Sequence, residues 1–393
     1  MNKQAITFKS MPFNMKVAVG FISLVLLFAI AGRFIANDVP IYYSHKDWKG
    51  FPAMNKTSFL AFKQKNEDVE PDFQILPLIP YSATSIDYKH SLSKPGQDVG
   101  SRHLLGTDTF NRDVLAGIIY GSRTALLIGI LSNILAVIFG LFLGSLSGYY
   151  SSVGVVTGRQ NFIFLLMIEI LLGYGLLYNP YVSVYIYNTQ VRLLLFFILT
   201  ILSVYMLLRP QRKNFRLDID LLITKSVEIF QSVPGLLLLL GISAVTGTMD
   251  VVKLTLLVSL LRWPGITRLV RGEVIKVRQS QFIESAKSLG VTDWRVIAKH
   301  ILPNITRQII VAFAFGVASS ILLEASLSFL GLGLPPDQVT WGMLLSQSRT
   351  NPAAWWLAIF PGLMISLLIL ACYTVGNYLN NRTGETSSKE EII

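Results

Sequence analysis

The stretch Gln281–Asn304, QFIESAKSLGVTDWRVIAKHILPN, is the most polar segment in the C-terminal half of a 393-residue chain, and apolar runs long enough to cross a membrane flank it on both sides. Its local reading is two short helices with a break. Ser280 suits the N-cap of the first, which carries Glu284 in its first turn, and Gly290 suits the left-handed position that ends it. Thr292 or Asp293 caps the second, and Pro303 is expected to stop it. The expectation is a compact charged elbow between two spans, shaped to enter a groove on a partner.

Composition sets the environment. The chain is 52% hydrophobic and 15% charged, with a mean hydropathy of +0.53. Soluble domains carry about a quarter charged residues, so this is an integral membrane protein. The net charge of +11 fits the excess of Lys and Arg on the cytoplasmic loops of such proteins better than it fits nucleic-acid binding, and no nucleic-acid partner is expected. From Arg262 to Arg307 nine bases face three acids, which places the elbow on the cytoplasmic side. Cys372 is the only cysteine, so no internal disulfide forms, and His45, His90, His103 and His300 show no metal-ligand spacing. The chain contains no G-x-x-x-x-G-K-[ST] loop to cradle phosphates, no G-x-S-x-G elbow and no H-E-x-x-H. No cofactor, metal or catalytic residue is expected on it. It reads as a passage driven by an external energy source rather than as an enzyme.

Outward from the elbow, the chain divides into an N-terminus and first span (1–36), a polar extracytoplasmic loop (37–113), a transmembrane domain (114–380) and a cytoplasmic tail (381–393). The outer loop is expected to hold little regular structure beyond short pieces, with LPLIPYS (Leu76–Ser82) packing as a small cap. Arg112–Arg123 reads as an amphipathic helix leading into a second span, Thr124 to about Tyr150, whose Gly129, Gly140, Gly144 and Gly148 allow close helix approach. Asn133 within it reads as an interhelical hydrogen bond. Two runs, Phe162–Tyr178 and Leu193–Leu208, sit at the lower limit for spanning, and the four bases of RPQRKNFR (Arg209–Arg216) follow them. Glu169 in the first run is an intramembrane functional candidate, against the plainer reading of a hydrogen-bonded carboxyl facing a neighbouring helix. Ile219–Val245 is a span kinked at Pro234-Gly235, and Val251–Val270, Ile305–Leu323 and Trp355–Leu379 complete the set, with Glu324–Gly342 as a turn-rich outer segment. The total is about eight spans with both termini cytoplasmic.

At this point the residues resemble a known family. Glu284, Ala286 and Gly290, followed by His300-Ile301-Leu302-Pro303-Asn304, resemble the EAA loop of permease subunits in binding-protein-dependent ABC importers, with Ser285 in place of the usual middle Ala. HLLGTDTFNRDVLAGIIYGSR (His103–Arg123), RWPGITRLVRGEV (Arg262–Val274) and EASLSFLGLGLPP (Glu324–Pro336) look like the dipeptide/oligopeptide/nickel subgroup, C-type subunit. ANDVPIYY and LPLIPYSATSIDY are similar to the branch handling larger peptides such as microcin C. The resemblance covers about Arg102–Gly148 and Asp218–Asn380.

The resemblance implies an all-α polytopic membrane protein with the type I ABC-importer transmembrane fold in a bacterial inner membrane. The family usually has six spans, so residues 151–217 would be an inserted out-and-back hairpin of two more. The implied function is that of a pore-forming permease subunit of a peptide importer. Import of nickel or another small solute by the same mechanism, and a secondary transporter, are the alternatives. The implied partners are a second, B-type permease, two ATP-binding subunits that hold ATP and Mg, an extracytoplasmic substrate-binding protein, and membrane lipid. The coupling loop, 280–304, would dock in a cleft on an ATPase subunit. Glu284, Lys287, Arg295 and Lys299 would give it charged faces, Gly290 the bend, and Leu289, Val291 and Trp294 the anchor. Gly106, Thr107, Asp108, Arg112 and Asp113 would act on the outer face, near where the binding protein delivers its cargo.

Overall fold

The computed structural model describes residues 11–45, 48–65, 72–97, 103–151, 155–157, 215–247 and 249–390. These form two compact units: residues 1–140, 231–266 and 304–393 in the first, and 141–230 and 267–303 in the second. Glu169 and both apolar runs of the insertion lie outside the described residues.

In the first unit, α1 (Phe13–Ile35) is a 23-residue apolar helix. The loop of residues 37–113 is more regular than expected. Strands β1 (Tyr42–His45), β2 (Trp48–Gly50) and β3 (Phe73–Ile75) make an antiparallel sheet in the order β2-β1-β3, beside α2 (Lys56–Lys65). The aromatics explain this: Tyr43, Trp48, Phe59 and Phe62 cluster and give the short strands and the helix a core of their own. Of the LPLIPYS stretch, Ile79 and Ser82 are buried and Leu76 and Leu78 are exposed. Ile79 exchanges backbone hydrogen bonds with Ile35 and Asn37, which ties that stretch to the end of α1.

The expected amphipathic lead and second span are one helix, α3 (Val114–Tyr150). Its side chains, with those of α1 and three later helices, build the main core of the first unit. The later helices are α9 (Leu302–Phe329), α10 (Trp341–Thr350) and α11 (Trp356–Glu390), and Val25, Leu126, Ile321, Trp341 and Leu368 meet there. Asn133 makes the expected interhelical bond, its Nδ2 donating to Phe313 O at 2.8 Å. The glycines of α3 serve close approach. A Cβ on Gly144 would stand 2.6 Å from Thr267 O, and one on Gly148 would stand 2.8 Å from Arg271 O. Both oxygens belong to α6 (Val251–Arg278), so only glycine admits this backbone-to-backbone packing.

Three boundaries differ from the sequence reading. The span expected at Ile219–Val245 is two helices, α4 (Ile219–Ser232) and α5 (Gly235–Thr246), because Pro234 ends one and N-caps the next. α9 runs past the expected end at Leu323 to Phe329, and the buried Glu324 sits inside the helix, accepting from Ser328 Oγ at 2.8 Å. α11 continues to Glu390, so residues 381–390 of the expected polar tail are helical.

Among the described residues four helices are long and apolar enough to cross a membrane, or five if α4 and α5 count as one broken span. α6 is 28 residues long, but Lys253, Arg262, Arg268 and Arg271 interrupt its apolar character. At the base of the insertion, β4 (Val155–Thr157) pairs antiparallel with β5 (Phe215–Leu217). The two ends of the segment expected to be inserted therefore lie side by side.

Candidate functional site

The elbow begins with α7 (Gln281–Ser288). Ser280 takes the extended N-cap conformation, with its hydroxyl donating to Val277 O at 2.6 Å rather than capping through its side chain. The helix ends in a Schellman motif. Gly290 has φ +74°, its N–H donates to Lys287 O at 2.9 Å, and Val291 N–H donates to Ala286 O at 3.2 Å. Beyond the break, α8 (Asp293–Val296) starts from Thr292.

Pro303 does not stop this second helix. Residues Ile297–Ile301 form a π-helical turn that leads into α9, making one apolar helix from Asp293 to Phe329. A proline inside an α-helix lacks a donor and crowds the carbonyl four residues back. The wider π turn relieves that clash, so Pro303 is accommodated. The elbow is thus one short helix, a glycine break, and the first turns of the following span.

Its inner face is buried, and its outer face mixes charged groups with large apolar ones. Ile283, Ala286, Val296, Ile297 and Ile301 are buried. Glu284, Lys287, Arg295, Pro303 and Asn304 are exposed, and His300 is half-buried. Leu289 is 84% and Trp294 66% exposed, with Phe282 also open, an unusual concentration of large apolar groups on a charged segment. A tyrosine pair at the end of α3 holds the elbow from within the same unit. Tyr149 Oη donates to Asp293 Oδ1 at 2.5 Å and Tyr150 Oη donates to Oδ2 at 3.2 Å. Lys287 Nζ stands 4.7 Å from the centre of the Tyr149 ring, a cation–π contact. Burial, and then the neighbouring charge of Arg278, lower the Lys287 pKa. Beside them, Arg271 grips Asp220 through Nε and Nη2 at 2.6 and 2.7 Å, and Ser147 Oγ donates to Asp220 Oδ1. Sequence reasoning missed Tyr149, Tyr150 and Asp220. Tyrosines at a span end read as ordinary interface aromatics, and Asp220 reads as a first-turn acid.

The second expected site, Gly106 to Asp113, lies in the first unit as a buried knot. Gly106, Thr107, Asp108, Arg112 and Asp113 are all buried. Arg112 donates from Nε and Nη2 to Asp108 Oδ2 at 2.9 and 2.7 Å, and from Nη1 to Pro336 O at 2.6 Å. Asp108 Oδ1 accepts the N–H groups of Phe110 and Arg112, both at 2.8 Å. Gln347 Oε1 accepts from Thr109 N, and Trp356 Nε1 donates to Thr107 O. Asp113 caps α3, its Oδ1 accepting from Ala116 N at 2.7 Å.

Asp113 Oδ2 also accepts from His103 Nδ1 at 2.9 Å. His103 Nε2 lies 3.3 Å from Asp87 Oδ2, which is 2.9 Å from His90 Nδ1. Burial acts to lower the His103 pKa, but the hydrogen bonds and charges of Asp113 and Asp87 outweigh it and raise the value. The hydrogen bond from His90 brings the Asp87 carboxyl down to about 2, against burial.

Long apolar helices define a polytopic membrane protein. The family described as binding-protein-dependent transport system inner membrane component matches residues 211–385. A dipeptide transport system permease protein, DppC, of Alkalihalophilus pseudofirmus is 30% identical over 286 residues, 72% of this chain and 72% of its own length. A glutathione transport system permease protein, GsiD, of Pectobacterium atrosepticum is 29% identical over 306 residues, 77% of this chain and 78% of its own. A solved structure, the methionine ABC transporter MetNI in an inward-facing conformation, matches with TM-score 0.33 and 15% identity, covering 63% of this chain and 95% of that one. The chain belongs to the family of ABC-importer permease subunits of the dipeptide/oligopeptide type.

Proposed function

We propose that this permease passes peptides across a bacterial inner membrane, inward, with the elbow on the cytoplasmic side receiving the stroke of a separate ATPase. The observation that carries the reading is the elbow. Leu289, Trp294 and Phe282 stand open on a backbone fixed by the Gly290 motif and the Asp293–tyrosine contacts. Exposed apolar anchors on a rigid backing are what a partner's cleft buries, and such residues supply most of the binding energy of an interface. The nine bases against three acids between Arg262 and Arg307 support the cytoplasmic placement, and both termini follow to that side. The peptide cargo rests on the printed names of the dipeptide and glutathione relatives.

The assembly in this reading holds a B-type permease, two ATPases that carry ATP and Mg, and a binding protein on the outer side. Because Gly106, Thr107, Asp108, Arg112 and Asp113 are buried, contact with that binding protein falls to the exposed Leu104 and Phe110 among and beside them. Reconstitution in proteoliposomes with those partners tests the proposal. Uptake of labelled peptide requires ATP and the binding protein, and Glu284→Lys reduces uptake at least about tenfold while hydrolysis continues, the loss of roughly one charged interface contact. Uptake without any ATPase contradicts the reading, as does wild-type uptake by Glu284→Lys.

A further inference from the structure

The loop of residues 37–113 brings His103 to two potential metal ligands, Asp87 and His90, that sit three residues apart. One ligand atom from each of Asp87, His90 and His103 lies within 4.8 Å of the others. The separations around Asp87 Oδ2 are 2.9 Å to His90 and 3.3 Å to His103. Ligands of a tetrahedral zinc ion with bonds of about 2.0–2.1 Å stand roughly 3.3–3.4 Å apart. Both separations around Asp87 Oδ2 lie within about half an ångström of that value, and the two imidazoles, within 4.8 Å of each other, need to close by at most about 1.5 Å.

The surroundings are those of a metal site. A metal-bound imidazole usually donates its other N–H to a carboxylate, which fixes the tautomer and aims the lone pair. His103 does this: its Nδ1–H donates to Asp113 Oδ2, which leaves Nε2 turned toward Asp87 and His90. Both side chains of that pair are 1% exposed, and Tyr81 stacks on the imidazole at 4.1 Å. The other two ligands are backed by main chain. Asp87 Oδ1 accepts from Lys89 N at 2.9 Å and so leaves Oδ2 for the centre, while His90 O accepts from Thr107 Oγ1 at 2.9 Å. Asp87 is 20% and His90 28% exposed, which gives an ion an entry path.

We propose that Asp87, His90 and His103 bind one Zn²⁺, with Asp113 as the positioning carboxylate and water in the fourth place. Two imidazoles and one carboxylate suit a borderline ion such as zinc, whereas calcium and magnesium require oxygen ligands. The ion staples the outer loop to the start of α3, because Asp113 is also the residue that caps that helix. This inference is independent of the cargo and of the ATPase partner.

The test uses the full chain in detergent, stripped with chelator and titrated with Zn²⁺ by calorimetry, and with Co²⁺ by visible absorption. One equivalent binds, Co²⁺ gives the intense bands of a four-coordinate ion, and Zn²⁺ raises the thermal midpoint. Asp87→Asn and His90→Ala, both at the exposed side of the site, each weaken Zn²⁺ at least about tenfold, and Asp113→Asn weakens it about 10–100-fold. If His103→Ala fails to fold, the two exposed-side variants still decide. Equal Zn²⁺ binding by wild type and the double variant Asp87→Asn/His90→Ala overturns the site. So does the absence of Zn²⁺ binding by wild type at micromolar concentration, which leaves the cluster a set of hydrogen bonds only.

Discussion

The knot at residues 106–113 and the elbow at residues 281–304 are both polar motifs in an apolar chain, and they are built in opposite ways. In the knot the charged groups point inward, and Asp108 spends its oxygens on Arg112, Phe110 and Gln347. In the elbow the large apolar groups point outward, and Leu289 and Trp294 have solvent where a core residue has neighbours. A motif with its polar groups satisfied internally holds a fold together. A motif with apolar side chains left open offers them for burial by another chain. Resemblance alone places both among functional residues, and burial separates the one that supports the fold from the one proposed to dock.

Substitutions sharpen this contrast. Asp108→Ala strands the buried Arg112 guanidinium, and breaking a buried pair this way costs about 3–5 kcal/mol. The expected result is loss of monodisperse protein in size-exclusion chromatography; a wild-type thermal midpoint breaks the contrast. Gly290→Ala places a Cβ at φ +74° and costs about 1–2 kcal/mol. It lowers the thermal midpoint without abolishing folding. Tyr149→Phe removes one hydrogen bond to the Asp293 carboxylate and costs about 1 kcal/mol. Its sharper readout is faster hydrogen exchange in residues 289–296. Leu289→Ala, at an open position, changes stability by no more than about 0.5 kcal/mol, yet weakens ATPase binding measured by co-purification. A large drop in its thermal midpoint places Leu289 in the supporting set instead.

Features encoded locally were legible in the sequence. Gly290 ends α7 because a helix C-terminus with no side-chain cap needs a left-handed residue, and that signal lies within five positions. The apolar runs of α1, α3, α9 and α11 and the close-packing glycines of α3 announce themselves by length and composition. Features set by distant partners were not legible. Pro303 reads as a stop, and only the π turn before it shows why the helix continues. The Tyr149–Asp293 contact joins residues 144 positions apart. His103 joins Asp87 and His90 only through the fold of the 37–113 loop, so no short spacing marks the three together. The aromatic core that orders residues 42–75 likewise depends on contacts between separate short elements, and no hydrophobic period reveals it.

The most direct measurement of the account exploits the single native cysteine. Cys372 is buried, so a water-soluble thiol reagent reports on an introduced Leu289→Cys with little background. In the chain alone, with Leu289 84% exposed, the new thiol labels fast. In the assembled complex with its ATPase subunits, the account predicts that labelling slows at least about tenfold, as expected for a side chain taken into a desolvated interface pocket. Equal labelling in the two states contradicts the claim that the elbow is where the energy of ATP enters this protein.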